Sequence, residues 1–380
     1  MALTNSIEND PLIGKMVIES VNSWASEASE KKEVEEALHA YHRYVHRKWA
    51  FMGICILAMF IVMGIALTVG AYDIKFFESY SILWQNLTGN VQDTLKDHII
   101  VNLRMPRIII GVIAGAGLAV AGVVMQSILK NPLADPYTTG VSSGALFGAT
   151  LAMTMGATMV DGEYAIVINA FIFSMVPTVV IVMVSKMRMS SPTVMIMAGI
   201  AVMYIFNALT TVIKLHSDPN ALASVYQWQV GSLTMADWSV IPLMAITVAI
   251  GLVLMQLMSR KLNVLFTGDE NAKAMGINVE SLRIFCLITV AIVSAVVVSF
   301  TGLIGFVGLV APHVVRIFIG PDNRYLIPAS AIFGALLLVA ADLIGRVIIA
   351  PATLQVGVIT AFLGGPLFLW LIMRRRSNLW

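Results

Sequence analysis

Charge is what this sequence has little of: Asp, Glu, Lys and Arg make up 12% of its 380 residues, against roughly 25% in soluble domains. So few charges cannot solvate a globular surface of this size, which excludes an ordinary soluble protein. Cysteine is nearly missing as well. Cys55 and Cys286 both fall in apolar runs, giving neither a disulfide framework nor a metal site and reading as small core side chains. Nucleotide and catalytic motifs are absent too. The only Gly-Lys pair, Gly14 and Lys15, lacks the upstream glycine of a phosphate-cradling loop, so the chain does not bind ATP by that means. There is no HExxH, CxxC or DDxxD-like cluster, which argues against an intramembrane hydrolase or prenyl-transferring enzyme. Ionisable residues inside apolar stretches are scarce, whereas ion-driven carriers usually keep functional carboxylates at mid-membrane.

What is present is hydrophobic length. Apolar side chains make up 58% of the chain and mean hydropathy is +0.85, the signature of a polytopic, all-α membrane protein. Apolar runs predict ten spans: 49–70, 107–128, 139–160, 164–185, 192–213, 239–258, 283–300, 307–319, 325–348 and 353–373. The eighth is too short to cross about 30 Å of hydrocarbon alone. It is expected to join a re-entrant or half-helical segment at 301–306, where Gly302, Gly305 and Gly308 suit a tightly packed break. In the second span Gly111 and Gly115 make a small-xxx-small face that Gly117, Ala121 and Gly122 extend, a helix suited to packing on protein and not lipid.

Residues 1–47 differ from the rest, with eight acidic side chains, and form an N-terminal region ahead of a ten-span domain over 48–376. They are not a signal peptide. Ile13, Val17, Val21 and Trp24, then Val34, Leu38, Tyr41 and Val45, recur at helical spacing, predicting one or two amphipathic surface helices. His39, His42 and His46 share part of a helical face, without the cysteine or paired carboxylate that would favour a metal over a polar surface. With the N-terminus in the cytoplasm, 18 Lys and Arg fall inside and six outside. That bias supports an even span count with both termini cytoplasmic.

Five blocks in order carry a further reading: Arg104 to Gly144, Trp228 to Leu233, Gly268 to Ile277, Gly302 to Arg316 and Gln355 to Leu369. Together they resemble the FecCD-type permeases, the membrane subunits of type II ABC importers for iron chelates, haem and cobalamin. The resemblance implies a BtuC-like fold in the cell membrane and transport without enzymatic activity. It implies no cofactor in this chain, ATP and Mg being held by two ATP-binding subunits on the cytoplasmic side. It further implies a homodimer and a substrate-binding protein outside, with iron(III)-siderophore the commonest cargo and haem or cobalamin the alternatives. The 23 methionines are dispersed as packing residues would be, which argues against haem ligation by Met.

The resemblance assigns the loop 259–282 to coupling with the ATPase, through Gly268, Asp269, Glu270, Ala272, Ala274, Met275 and Gly276. Those residues suit the role: two glycines bracket a short helix, two acids favour its first turn, and Ala272, Ala274 and Met275 offer adaptable contacts. The resemblance also implies that Arg104 and Arg346, with Arg107 beside them, receive glutamates of the binding protein, a role guanidinium suits because it stays charged and grips carboxylate in two places. Snorkelling to the interface, with Asp342 neutralising Arg346, is the alternative. The turn Ser190, Ser191, Pro192 and Thr193 stands where the family has a cytoplasmic gate, although these residues equally suit an ordinary helix start. The rival function is a secondary transporter needing no ATPase.

Overall fold

The computed structural model describes residues 11–70, 72–188, 191–235, 237–350 and 352–373. Among them every regular element is helical. The chain divides into two compact units, residues 1–50 and 51–380. The one or two amphipathic helices expected before residue 48 and the first span at 49–70 are continuous: one helix, α1, runs over Pro11–Thr68, and its stretch His42–Thr68 is apolar enough to cross a membrane. Its sequence has no proline after Pro11, and Glu, Lys and Ala fill its middle, so nothing local interrupts it.

Two short helices outside the expected spans follow, α2 (Phe76–Leu87) and α3 (Thr94–Asp97), then a π-helical turn His98–Arg104 that leads directly into α4 (Met105–Leu129). Next come α5 (Val141–Met155), α6 (Ala165–Arg188), α7 (Pro192–Leu215), the short α8 (Pro219–Val230) and α9 (Ile241–Phe266). The chain closes with α10 (Asp269–Ala274), α11 (Val279–Thr301), α12 (Val307–Ile319), α13 (Asn323–Val347) and α14 (Val356–Met373). Seven helical stretches among the described residues are long and apolar enough to cross a membrane, and α5, α12 and α14 are shorter apolar helices. These ten correspond in order to the ten apolar runs.

Helix α4 is the centre of the second unit. Its apolar window is 78% buried, against 22% for α7 and for α9. The glycine face accounts for this. A Cβ on Gly115 would strike the Gly334 carbonyl of α13, and one on Gly122 would strike the Gly308 carbonyl of α12. Backbones therefore meet without side chains between them, and the gain is dispersion and not water release.

The segment 301–306 is not a half-helix. It is an irregular link with Gly302 at φ 69° and Phe306 at φ 68°, and its backbone groups find partners elsewhere. The Tyr137 hydroxyl donates to the Ile304 carbonyl (2.9 Å) and accepts from the Ile304 N–H (3.1 Å), while the Ser232 N–H donates to the Thr301 carbonyl (2.7 Å). A non-helical stretch between spans persists only when satisfied in this way. Cys55 and Cys286 are buried and unpaired.

Candidate functional site

The described chemistry gathers at the two ends of α4, about 35 Å apart at 1.5 Å per residue. At the C-terminal end Lys130 terminates the helix in the left-handed conformation, φ 48°. Its Nζ lies 2.6 Å from Asp269 Oδ1. Arg283, 2% exposed, places Nη2 2.9 Å from the same oxygen and donates from Nε to the Ile128 carbonyl (3.1 Å). Asp269 is the first residue of α10, so one carboxylate ties this short helix to both α4 and α11. Burial alone would raise the Asp269 pKa, but the bonds from Lys130 and Arg283 outweigh it and hold the carboxyl below its ordinary value.

Helix α10 is bracketed by Gly268 (φ 126°) and Gly276 (φ 79°), a conformation that favours glycine at both positions. Glu270, Ala274, Met275 and Gly276 face outward. Ala272 does not offer a contact, as the sequence suggested. It is fully buried and anchors the helix to the bundle. Asp269 likewise serves the clamp, not an exposed first turn. Lys130 and Arg283 entered the sequence reading only as inside charges. The signal that could have flagged them was a cation directly after a long apolar helix and another within the first turn and a half of the next span.

Nearby, Asp322 caps α13 and accepts from Asn263 Nδ2 (2.7 Å) and from Arg324, binding α13 to α9. Its burial raises the pKa, but the Arg324 and Asn263 bonds bring it down to about 2. In the loop after α4, Asp135 caps the turn Pro136–Thr139 by accepting from the Thr138 N–H (2.9 Å). There burial dominates, and the pKa rises to about 6.

At the other end, Arg107 grips Asp342 with Nε (3.0 and 3.1 Å) and Nη2 (2.8 Å). Arg346 approaches the second oxygen of Asp342 at 3.0 Å and donates to the Ala66 carbonyl (3.0 Å). Arg104 donates to the carbonyls of Leu67, Thr68 (2.9 Å) and Tyr72 (2.7 Å). Carbonyls at the end of α1 lack helical partners, and the two arginines supply donors to them. Gly70 leaves room, since a Cβ there would sit 2.6 Å from Arg104 Nη2. The sequence placed Arg104 at a receiving surface. Here it is 7% exposed and its donors are directed inward, because the open end of α1 and the Tyr72 carbonyl just beyond it offer acceptors. Arg107 and Arg346 lie with it, both mostly buried.

The four-residue turn before α7 is only partly covered. Ser190 lies outside the described residues, whereas Ser191 accepts from the Val194 N–H (3.3 Å) and Pro192 and Thr193 begin the helix. That is the geometry of a capped helix start. Near the 301–306 link, Gln227, Ser232, Thr234, Thr301 and Gln355 line an uncharged recess of about 280 Å³ beside Trp228.

Residues 56–374 match the FecCD transport family. The chain is 36% identical to the hemin transport system permease protein of Yersinia pestis over 85% of its own length and 96% of that protein's. It is 35% identical to an Fe(3+)-citrate import system permease protein of Bacillus subtilis, covering 86% and 95%. To the cobalamin import system permease protein of Halobacterium salinarum it is 36% identical, covering 73% and 74%. Among solved structures, a metal-chelate type ABC transporter in an inward-facing conformation superposes with a TM-score of 0.75 at 27% identity, over 85% of this chain and 99% of that one.

Proposed function

The chain belongs to the FecCD transport family, and from that premise we propose that two copies of it form the membrane path of an iron(III)-siderophore importer. At the coarser level it is the permease subunit of an ABC importer for iron chelates, haem or cobalamin, a multi-pass membrane protein. ATP hydrolysis in this family lies in a separate subunit, and a substrate-binding protein completes the system.

The observation that carries the mechanism is α10. Its outward residues, Glu270, Ala274 and Met275, are available to an ATP-binding partner, while Asp269 and Ala272 hold it to α4 and α11. A push on that helix would reach the most buried span directly through the Lys130 ion pair and indirectly through Arg283, which also bonds the Ile128 carbonyl of α4. Positive charge concentrated at this end favours a cytoplasmic position for it, with both termini on the same side. At the far end two guanidinium groups, Arg107 and Arg346, share one carboxylate, Asp342, while Arg104 bonds only backbone carbonyls. Surplus positive charge with little solvent around it favours an acidic partner, which supports docking of glutamates from the binding protein at Arg107 and Arg346 in preference to Arg104. Ser191, Pro192 and Thr193 are retained as the inner gate because they begin α7. Its largely bare apolar face, including Ile205, Leu209 and Val212, is suited to a second copy across the path. The uncharged 280 Å³ recess suits hydroxyl- and amide-bearing cargo.

The secondary-transporter reading is weaker. Asp342, a carboxylate within α13, is already held by Arg107 and Arg346. The test is purification of the tagged chain from its native membranes in mild detergent, with mass spectrometry of what accompanies it. An ATP-binding subunit is expected. Recovery of the chain alone, active in gradient-driven uptake, would overturn the proposal.

A further inference from the structure

A recess of about 460 Å³ opens between the end of α9 and the start of α11, immediately behind α10. We infer that this recess binds the headgroup of an acidic phospholipid, with Lys261, Asn278 and Ser281 as its ligands. All three line it, and all three are exposed. Lys261 forms no ion pair with an acid among the described residues. The Asn278 side chain uses its oxygen to cap α11 by accepting from the Ser281 N–H (3.0 Å), which leaves its amide to donate. The Ser281 hydroxyl also has no partner among the described residues. A lysine, an amide and a hydroxyl thus offer donors around one cavity, matching the several acceptor oxygens of a phosphodiester.

Position decides the kind of ligand. Both flanking helices are long and apolar enough to cross a membrane, and the recess lies where each reaches its polar end. Below it Leu257, Val253 and Ile250 on α9 and Phe285, Ile288 and Ile292 on α11 are all exposed. These two columns form an apolar track leading from the cation toward mid-membrane. A free phosphate would use only the recess, whereas a phospholipid would use both. Arg260, exposed beside Lys261, adds a second positive charge at headgroup height. Glu280 opposes them from the first turn of α11 but does not line the recess. Anionic lipids concentrate in the cytoplasmic leaflet, the side assigned to α10. Gly276 and Ile277 form part of the recess wall, so a bound headgroup would lie against the segment that follows α10.

The test uses the purified full-length chain in mild detergent, titrated with phosphatidylglycerol, phosphatidylcholine or inorganic phosphate, with bound molecules counted by native mass spectrometry. Phosphatidylglycerol should be retained in preference to the other two. Lys261→Gln should weaken its retention about fivefold, the effect of one basic side chain at a membrane surface. Lys261→Arg should keep it, which separates loss of the site from loss of the fold. Ser281→Trp, filling the recess and leaving every charge in place, should also exclude the lipid. Equal retention of both lipids by the unmodified chain, or an unchanged preference in both Lys261→Gln and Ser281→Trp, would overturn the inference. So would a Lys261→Gln variant that keeps phosphatidylglycerol but loses a co-purifying ATP-binding subunit, since the recess would then be a protein seat.

Discussion

At each end of α4 a single carboxylate is held between two cations, yet the two arrangements do different work. Asp342 comes from α13, a long helix whose backbone already touches α4 at Gly115 and Gly334, and its side chain is 3% exposed. Asp269 comes from a six-residue helix between two positive-φ glycines, and its side chain is 31% exposed. The first ion pair therefore reinforces packing that exists without it. The second, with Ala272, is much of what attaches α10 to the bundle. Similar chemistry thus gives a fixed joint at one end and a detachable one at the other, as expected if one end senses a partner's movement and the other receives a docked surface.

Removing the buried carboxylate should give the largest effect. Asp342→Ala leaves three guanidinium groups with no counter-charge in a poorly solvated cluster, and breaking a buried pair from one side costs about 3–5 kcal/mol. A large fall in detergent thermal stability is expected, partly recovered by adding Arg107→Ala. If Asp342→Ala melts like the parent, the cluster is solvated and the contrast between the ends fails.

The Asp269 clamp should respond more weakly and locally. Asp269→Asn should lower stability by about 1 kcal/mol, given its partial exposure, and raise hydrogen exchange across 269–274 while α4 stays protected. Its pH dependence has a definite sign. Because the folded carboxyl lies below its ordinary value, the clamp contributes fully above that value, 3.8, and is lost as pH falls through the lowered one. Protection of α10, corrected for intrinsic rates, should hold from neutrality down to about pH 5 and collapse only in stronger acid. Loss of protection already near pH 6 would overturn the clamp assignment, and Asp135 does not account for it: its raised carboxyl takes up a proton there in the folded chain, which adds stability as pH falls.

Much of the fold was legible in the sequence, because membrane spans announce themselves by length and hydropathy. The 307–319 run coincides with α12, and the glycine pattern at 111–122 foretold which span would be wrapped in protein. Helices α2 and α8 escaped because short amphipathic segments carry no such signal, and the unbroken α1 escaped because a change from polar to apolar composition was read as a change of structure. Of the site, the brackets at Gly268 and Gly276 were readable from local turn chemistry. The partners of Asp269 were not, since Lys130 lies far away in sequence and only tertiary packing joins them. The partners of Arg104 were hidden for a related reason: they are carbonyls at and just beyond the end of α1, which no side-chain pattern reveals.

The smallest structural effect is the most informative about the detachable end. Glu270 and Lys273 form an exposed i, i+3 pair at 3.2 Å, and such pairs contribute little. Neither Glu270→Ala nor the double change Glu270→Arg with Met275→Asp should alter the melting temperature, because neither touches the clamp or Ala272. The double change does invert the charge and polarity of the outward face of α10. If that face meets an ATP-binding subunit, co-purification should be lost from a chain that is otherwise intact. If the complex survives, α10 is only a tethered connection and the asymmetry between the two ends of α4 has no role in coupling. Stability and assembly must therefore be measured on the same variant, since only their separation distinguishes a contact surface from a fold defect.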